Sequence, residues 1–165
     1  MGDFRQVSPE ANLVTSSHTF VFQPGKWKLF GWSYDTDGRR TKFTGGVECI
    51  VASADHYQSR MWYMLDGDDT NRVEENTDCW LAGSFFRFGQ EHSVNGQLDG
   101  GGFVSQRSIC QHYRSADGSM EGYETLLRES PEKYFGHGLY LRDGKLVTVA
   151  EIWLTLEHEL DNAPE

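Results

Sequence analysis

Alternating apolar and polar residues recur along almost the whole chain, in runs separated by short turns. Within 40–52, Phe43, Val47, Cys49 and Val51 share one side of an extended chain, and Lys42, Thr44 and Glu48 share the other. Alternation with a period of two predicts β-strands with one buried face. The runs predict eleven strands, at 18–23, 26–35, 40–52, 57–65, 72–82, 84–89, 92–98, 103–114, 119–128, 134–142 and 145–157.

Asx-Gly dipeptides mark the turns between many of these runs. Each predicts a two-residue type I′ hairpin, in which both central residues need positive φ. Successive hairpins in chain order predict an antiparallel meander. The dipeptides are Asp37-Gly38, Asp66-Gly67, Asn95-Gly96, Asp117-Gly118 and Asp143-Gly144. A glycine run at 100–102 predicts a bend at a barrel corner.

Helical patterns are weak. Residues 8–15, with Ser8 as N-cap, and residues 129–134 predict one or two helical turns each. A long meander must close on itself or form a sandwich, because open sheet edges promote aggregation. The prediction is therefore an all-β fold, a single antiparallel up-and-down β-barrel of about eight to ten strands with minimal helix. A β-sandwich that docks a protein partner is the alternative.

Length and charge limit the classes of function. The 165 residues form one predicted domain, 1–165, with an N-terminal arm at 1–17 and a frayed tail at 160–165. A net charge of −10 argues against nucleic acid and anionic membranes as partners. We see no signal peptide and no apolar run of the ~20 residues that a membrane helix needs. Three widely spaced cysteines favour reduced thiols and a cytoplasmic protein, and a homodimer is compatible with the sequence.

The triplet Gly25-Lys26-Trp27 opens the first long strand. It resembles the Gly-x-Trp opening of calycin barrels, a group that includes lipocalins, nitrobindin-like proteins and phycobiliprotein lyases. The resemblance implies that Trp27 plugs the closed end of a barrel, around a cavity for one small, largely apolar molecule. If the resemblance is to the phycobiliprotein lyases in particular, it implies that the protein delivers a bound chromophore to another protein.

His137 is the first catalytic candidate, because it shares a strand face with Phe135 and Leu139. An imidazole that lines a barrel interior would serve as acid or base near neutral pH. A core histidine held by a tyrosine or a carbonyl is the alternative. Tyr63 shares a face with Tyr57, Met61 and Leu65, which predicts an inward phenol.

Glu151 lies between Val149 and Trp153 in the most apolar run, 145–157. If it faces inward, burial raises its pKa unless an arginine lies opposite. Arg107 and Arg60 are the candidate partners, and an outward, solvated Glu151 is equally compatible with the pattern. Arg107 and Tyr63 would hold a carbonyl or carboxylate of the ligand.

Aromatic and polar side chains in other strands complete the predicted binding site. Flat rings suit a conjugated ligand, through offset stacking worth ~0.5–1.5 kcal/mol per pair. The binding candidates are Trp27, Tyr34, Arg60, His112, Tyr123 and Trp153. No spacing typical of a metal site, phosphate loop or dinucleotide fingerprint is present, so we predict no metal and no cofactor.

These observations predict a barrel that encloses an apolar, aromatic or polyene molecule. Cofactor-independent proton transfer, of the isomerase, cyclase or lyase type, is the leading hypothesis. A non-catalytic carrier or chromophore chaperone with the same barrel is the alternative.

Overall fold

The computed structural model describes residues 18–158. This part of the chain folds into a closed ten-stranded barrel. Every strand pairs antiparallel with its neighbours in the sequence, and β1 closes the barrel against β10. The predicted up-and-down barrel is confirmed. The strands are β1 (Gly25–Asp35), β2 (Arg40–Val51), β3 (His56–Leu65), β4 (Asp68–Ala82), β5 (Phe85–His92), β6 (Gly96–Val104), β7 (Ser108–Ser115), β8 (Met120–Ser130), β9 (Lys133–Arg142) and β10 (Lys145–Leu156).

Five local predictions are wrong. Residues 20–22 form a turn rather than a strand. The predicted strand 92–98 contains the β5–β6 turn, and the predicted strand 103–114 contains the β6–β7 turn at 105–107. The segment 129–134 contains the end of β8, a turn and the start of β9, and no helical turn. The glycines at 100–102 lie inside β6 rather than at a bend between strands. Side chains from neighbouring strands leave no room for a side chain at these positions. A Cβ on Gly100, for example, would lie 2.5 Å from the Phe88 ring. The arm at 1–17, its predicted helical turn at 8–15 and the tail at 160–165 lie outside the described residues.

All five Asx-Gly turns lie at the same end of the barrel, because an up-and-down meander places alternate hairpins at each rim. Asp66-Gly67 and Asp143-Gly144 have positive φ at both residues, as a type I′ turn requires. In the other three dipeptides only the glycine has positive φ, so the prediction of five type I′ turns is wrong for these.

The opposite end of the barrel is closed by aromatic side chains. Trp27 is 1% exposed and contacts Phe20 and Tyr134 edge-on, with ring centroids 5.3 and 5.6 Å away. Buried His18 lies beside them, with Nδ1 3.0 Å from the Tyr134 hydroxyl and Nε2 2.8 Å from the Ser105 carbonyl oxygen. Trp27 therefore occupies the closed end, where the Gly-x-Trp resemblance places it.

Strand β9 turns its glycines rather than its apolar face toward the interior. A Cβ on Gly136 would lie 2.5 Å from a Leu126 methyl group, and one on Gly138 would lie 2.5 Å from the Tyr140 hydroxyl. Tyr134 is 1% exposed on the same inward face. Because side chains alternate strictly along a strand, His137 must point outward, and the prediction that it faces the interior is wrong.

Candidate functional site

The barrel interior contains a cavity of about 570 Å³. It begins above the aromatic plug and extends to the rim of Asx-Gly turns, where Asn95 and Arg142 border it. A cavity of this size suits a small organic ligand. Its walls are mainly apolar and aromatic, with Leu29, Phe43, Val47, Met61, Phe88 and Ile152 among the lining residues.

Glu75 of β4 places a buried carboxyl in the cavity wall. Its side chain is 8% exposed, and Oε1 lies 3.4 Å from Nε2 of His92 on β5. Gln90, two residues before His92, donates a hydrogen bond from Nε2 to the other carboxyl oxygen. Both partners reach Glu75 because β4 and β5 are paired, with Glu75 directly opposite His92 in the register.

The hydrogen bonds of His92 define its protonation. Its Nδ1 accepts the backbone N–H groups of Val94 and Asn95, at 3.0 and 3.1 Å. A neutral imidazole then carries its proton on Nε2, the nitrogen that faces Glu75. Burial lowers the pKa of His92, so the ring favours this neutral form.

Burial also raises the pKa of Glu75, to about 8, and the negative charge of Glu124 adds to the increase. The hydrogen bond from Gln90 opposes this shift without cancelling it. Near neutral pH the Glu75 carboxyl therefore holds its proton. A carboxyl that titrates close to the working pH is suited to general acid or base catalysis.

Glu124 of β8 forms a second polar centre in the wall. Its Oε1 accepts hydrogen bonds from the hydroxyls of Tyr113 and Tyr140, at 2.8 and 2.9 Å. Its Oε2 accepts a third from Gln111 Nε2 at 2.7 Å. Burial, followed by the charge of Glu124, raises the pKa of both tyrosines well above 10, so both remain protonated donors.

Tyr63 is one of two sequence-predicted residues that face the interior, and the predicted inward orientation is confirmed. It lines the cavity beside Phe43, with ring centroids 5.8 Å apart. Burial and the charges of Glu75 and Glu124 raise its pKa above 10. Within residues 18–158 its hydroxyl has no hydrogen-bond partner, so it is free to bind a ligand atom. Trp27 is the other inward residue, and it belongs to the plug.

The other residues proposed for catalysis lie on the outer surface. His137 and Glu151 are register partners on the outward faces of β9 and β10, and Glu151 accepts a hydrogen bond from Tyr34 at 3.0 Å. Arg107 lies exposed in the β6–β7 turn, with β8 and β9 between its strands and β10. The structure therefore does not bring Glu151 and Arg107 together, and the outward position of Glu151 is the correct alternative.

The remaining predicted binding residues also point outward. Trp153 packs between Phe30 and Phe135 on the surface of the barrel, with ring centroids 5.5 and 5.0 Å away. His112 and Tyr123 stack on one another at 4.4 Å, also outside. None of these rings lines the cavity, so their predicted stacking against an enclosed ligand is wrong. Tyr34 and Arg60 likewise lie on outward strand positions.

Sequence reasoning missed the polar residues that do line the cavity. Glu75 lies on the same face of β4 as Val73, Thr77 and Cys79, and this face is the buried one. Glu124 has the same relation to Leu126 in β8. The sequence feature that pointed to both residues was a carboxylate on a strand face whose neighbouring positions carry buried residues. This feature was less conspicuous than His137, whose immediate neighbours on its face are large and apolar.

Metal-binding clusters and membrane-spanning helices do not occur in residues 18–158. No group of three or more His, Cys, Asp or Glu side chains there is placed to hold a metal ion. In the same part of the chain, no helix has the length and apolar character to cross a membrane. All three cysteines are free, and burial raises the pKa of Cys49 to about 11 and of Cys79 to about 12.

Comparison with solved structures identifies the fold. An S-type phycobiliprotein lyase from Guillardia theta superposes with a TM-score of 0.65 at 9% identity, over 94% of this chain and 96% of the lyase. A protein of unknown function from the DUF3598 family of Nostoc punctiforme superposes with a TM-score of 0.60 at 10% identity, over 81% of this chain. This chain covers 47% of that longer protein. No family model and no curated protein matches the sequence. The resemblance to calycin-like barrels is confirmed as a likeness of fold.

Proposed function

We propose that the barrel binds one small, predominantly apolar, ring-containing molecule in its interior and transfers a proton to or from it. The single observation that carries the proposal is the cavity of about 570 Å³, with aromatic walls, a buried carboxyl on Glu75 and a half-buried one on Glu124. Burying a carboxyl costs free energy, and such groups concentrate in sites that bind or react. Neither Glu75 nor Glu124 contacts a lysine or arginine at ion-pair distance within residues 18–158.

Glu75 is the proton donor or acceptor in this proposal. Its pKa of about 8 lets it hold a proton at neutral pH and release it to a ligand base. His92 and Gln90 position the carboxyl, and Tyr63 offers a free hydroxyl to a carbonyl or imine of the ligand. The reaction class is an isomerisation, cyclisation or elimination that needs no redox change.

Binding is tested by filling the cavity. Ala150 faces the interior at 3% exposure, and its neighbour Val149 faces outward, so Ala150→Phe and Val149→Phe add comparable bulk inside and outside the barrel. A hydrophobic fluorescent probe should bind the wild type and V149F, and lose about tenfold or more in affinity for A150F. Native mass spectrometry of protein purified from its own host should show a bound compound that A150F lacks. Equal probe affinity in all three proteins would exclude the cavity as the binding site.

Proton transfer is tested with the recovered ligand in D2O. Wild-type protein should catalyse deuterium incorporation at a carbon of the ligand, and Glu75→Gln should reduce the rate at least about a hundredfold, the scale of general acid–base catalysis. Because a glutamine side chain has nearly the same shape as a glutamate, the circular dichroism spectrum and the affinity for a neutral hydrophobic probe serve as the controls for folding. Binding without deuterium incorporation would reject catalysis.

A carrier is the second candidate, and one observation favours it. Glu124 already accepts three hydrogen bonds from Tyr113, Tyr140 and Gln111, so its geometry is fixed before any ligand arrives. Such a rigid acceptor is suited to holding a ligand. Among solved proteins of this fold is the phycobiliprotein lyase, which makes delivery of a chromophore a specific form of the carrier hypothesis. An absorbance scan of protein from its host would reveal a bound chromophore.

A further inference from the structure

Acidic side chains outnumber basic ones around the cavity. Glu75 and Glu124 both lie in its wall, whereas Arg142 is the one lysine or arginine among the described lining residues. Arg142 is exposed at the rim, and it forms no ion pair with either carboxyl within residues 18–158. The interior therefore contains more acid than the surrounding side chains neutralise.

The other titratable groups around Glu75 do not supply the missing positive charge. His92, on the neighbouring strand β5, has a lowered pKa and is neutral. Tyr63 on β3, Tyr113 on β7 and Tyr140 on β9 all have raised pKa values and are neutral donors. The charge of Glu124 acts on Glu75 across the bore and raises its pKa. A cation between the two carboxyls would offset the charge of Glu124 and favour the ionised form of Glu75.

Both carboxyls also retain capacity to accept hydrogen bonds. A carboxylate has about four lone-pair sites. The protein's hydrogen bonds occupy three on Glu124. On Glu75 they occupy one, from Gln90, and His92 Nε2 lies 3.4 Å from the other oxygen. The remaining sites match a ligand that donates hydrogen bonds.

We propose that the ligand is a nitrogen base: a conjugated, ring-containing molecule whose protonated or N–H nitrogen lies between Glu75 and Glu124. This inference rests on the proposed function, because it names the ligand class for the same cavity. The rings of Phe43, Phe86 and Phe88 line the same space. Aromatic faces attract organic cations as well as flat rings, so the apolar wall and the acidic pair favour the same class of molecule.

Matched probes separate the charge of a ligand from its hydrophobicity. Thioflavin T is a permanent aromatic cation, its analogue without the ring N-methyl group is neutral, and anilinonaphthalene sulfonate is an anion. Titrated into full-length wild-type protein, the cation should bind about tenfold tighter than the neutral analogue, and the anion weakest. The Glu75→Gln/Glu124→Gln double variant should lose this preference and keep its affinity for the neutral analogue within about threefold.

The control removes two charges from the outside of the barrel. Glu121 and Glu151 each accept a tyrosine hydroxyl on the outer face, so E121Q/E151Q removes the same number of carboxyls without touching the cavity. It should change cation affinity less than about threefold. If circular dichroism shows that the interior double variant is unfolded, the single variants E75Q and E124Q make the same comparison.

Each result decides one claim. A wild type that binds the neutral or anionic probe at least as tightly as the cation, with A150F blocking that binding, overturns the inference and leaves the proposed function standing. An equal loss of cation affinity in E121Q/E151Q also overturns the inference, because the surface charge would then explain the preference. Failure of all three probes to bind would reject the proposed cavity function and this inference with it.

Discussion

The imidazole Nε2 of His92 lies 3.4 Å from Oε1 of Glu75 inside the barrel. Another glutamate and histidine, Glu151 and His137, are register partners on the outer surface. The two pairs have the same residue types in opposite environments. Desolvation raises the pKa of Glu75 to about 8 and lowers that of His92. The inner pair is therefore the one suited to proton transfer near neutral pH.

Stability should depend on the titration of Glu75. Between pH 4.5 and about 8 the unfolded chain has lost this proton while the folded chain keeps it, so Glu75 destabilises the fold increasingly as pH rises. Glu75→Gln removes this penalty. We expect E75Q to be roughly 1–3 kcal/mol more stable than wild type near pH 8, with little gain near pH 4.5, in urea unfolding. A stability difference that is constant with pH would contradict the raised pKa.

Gly138 should tolerate no side chain. A Cβ there would lie 2.5 Å from the Tyr140 hydroxyl, which donates to Glu124. Gly138→Ala should displace Tyr140 and cost about 1–3 kcal/mol of unfolding free energy. Gly89→Ala is the control, because a Cβ on Gly89 would lie 3.5 Å from its nearest non-neighbour atom, which is ordinary contact distance. Thermal denaturation showing equal losses in both variants would refute the steric explanation.

The Tyr134 hydroxyl should stabilise the closed end. It accepts the Thr19 backbone N–H at 3.1 Å and donates to His18 Nδ1 at 3.0 Å. Tyr134→Phe leaves both groups without this partner and should cost about 1–3 kcal/mol by urea unfolding. Tyr123→Phe removes an exposed hydroxyl and should cost under about 0.5 kcal/mol. Similar losses of unfolding free energy in the two variants would show that the buried hydrogen bonds of Tyr134 stabilise the fold no more than the exposed one of Tyr123.

Removal of His137 should leave the cavity unaffected. Its side chain is exposed on the outer face, in edge contact with Phe135 at 4.7 Å. His137→Ala should change the affinity of a cavity probe less than about twofold, whereas A150F should lower it about tenfold or more. Fluorescence titration of both variants tests this. A large loss of affinity in H137A would return that histidine to the functional site.

The three thiols should differ in reactivity. Cys49 and Cys79 are 2% and 4% exposed, and burial raises the pKa values of both. Cys110 is partly exposed, and its sulfur accepts a hydrogen bond from Thr125. Because the thiolate is the reactive form, Ellman's reagent near pH 8 should modify Cys110 first and the other two only after unfolding. Simultaneous reaction of all three thiols would contradict the burial of Cys49 and Cys79.

The alternation of residues and the Asx-Gly turns were sufficient to predict most of the strands and their antiparallel order. Local chemistry encodes these features, since glycine permits positive φ and a period of two defines two strand faces. The same pattern predicted the inward orientation of Tyr63, and the Gly-x-Trp resemblance implied the position of Trp27. Alternation and turns together determined the up-and-down barrel.

Only the tertiary structure decided which face of each strand encloses the cavity. In β9 the apolar face, with Phe135 and Leu139, points outward, because Tyr134 fills the plug and the glycines leave space for Leu126 and Tyr140. That choice depends on side chains from other strands, which no single run of sequence contains. For the same reason Glu75 and Glu124 face one cavity only in the closed barrel, where strands far apart in the chain share one interior.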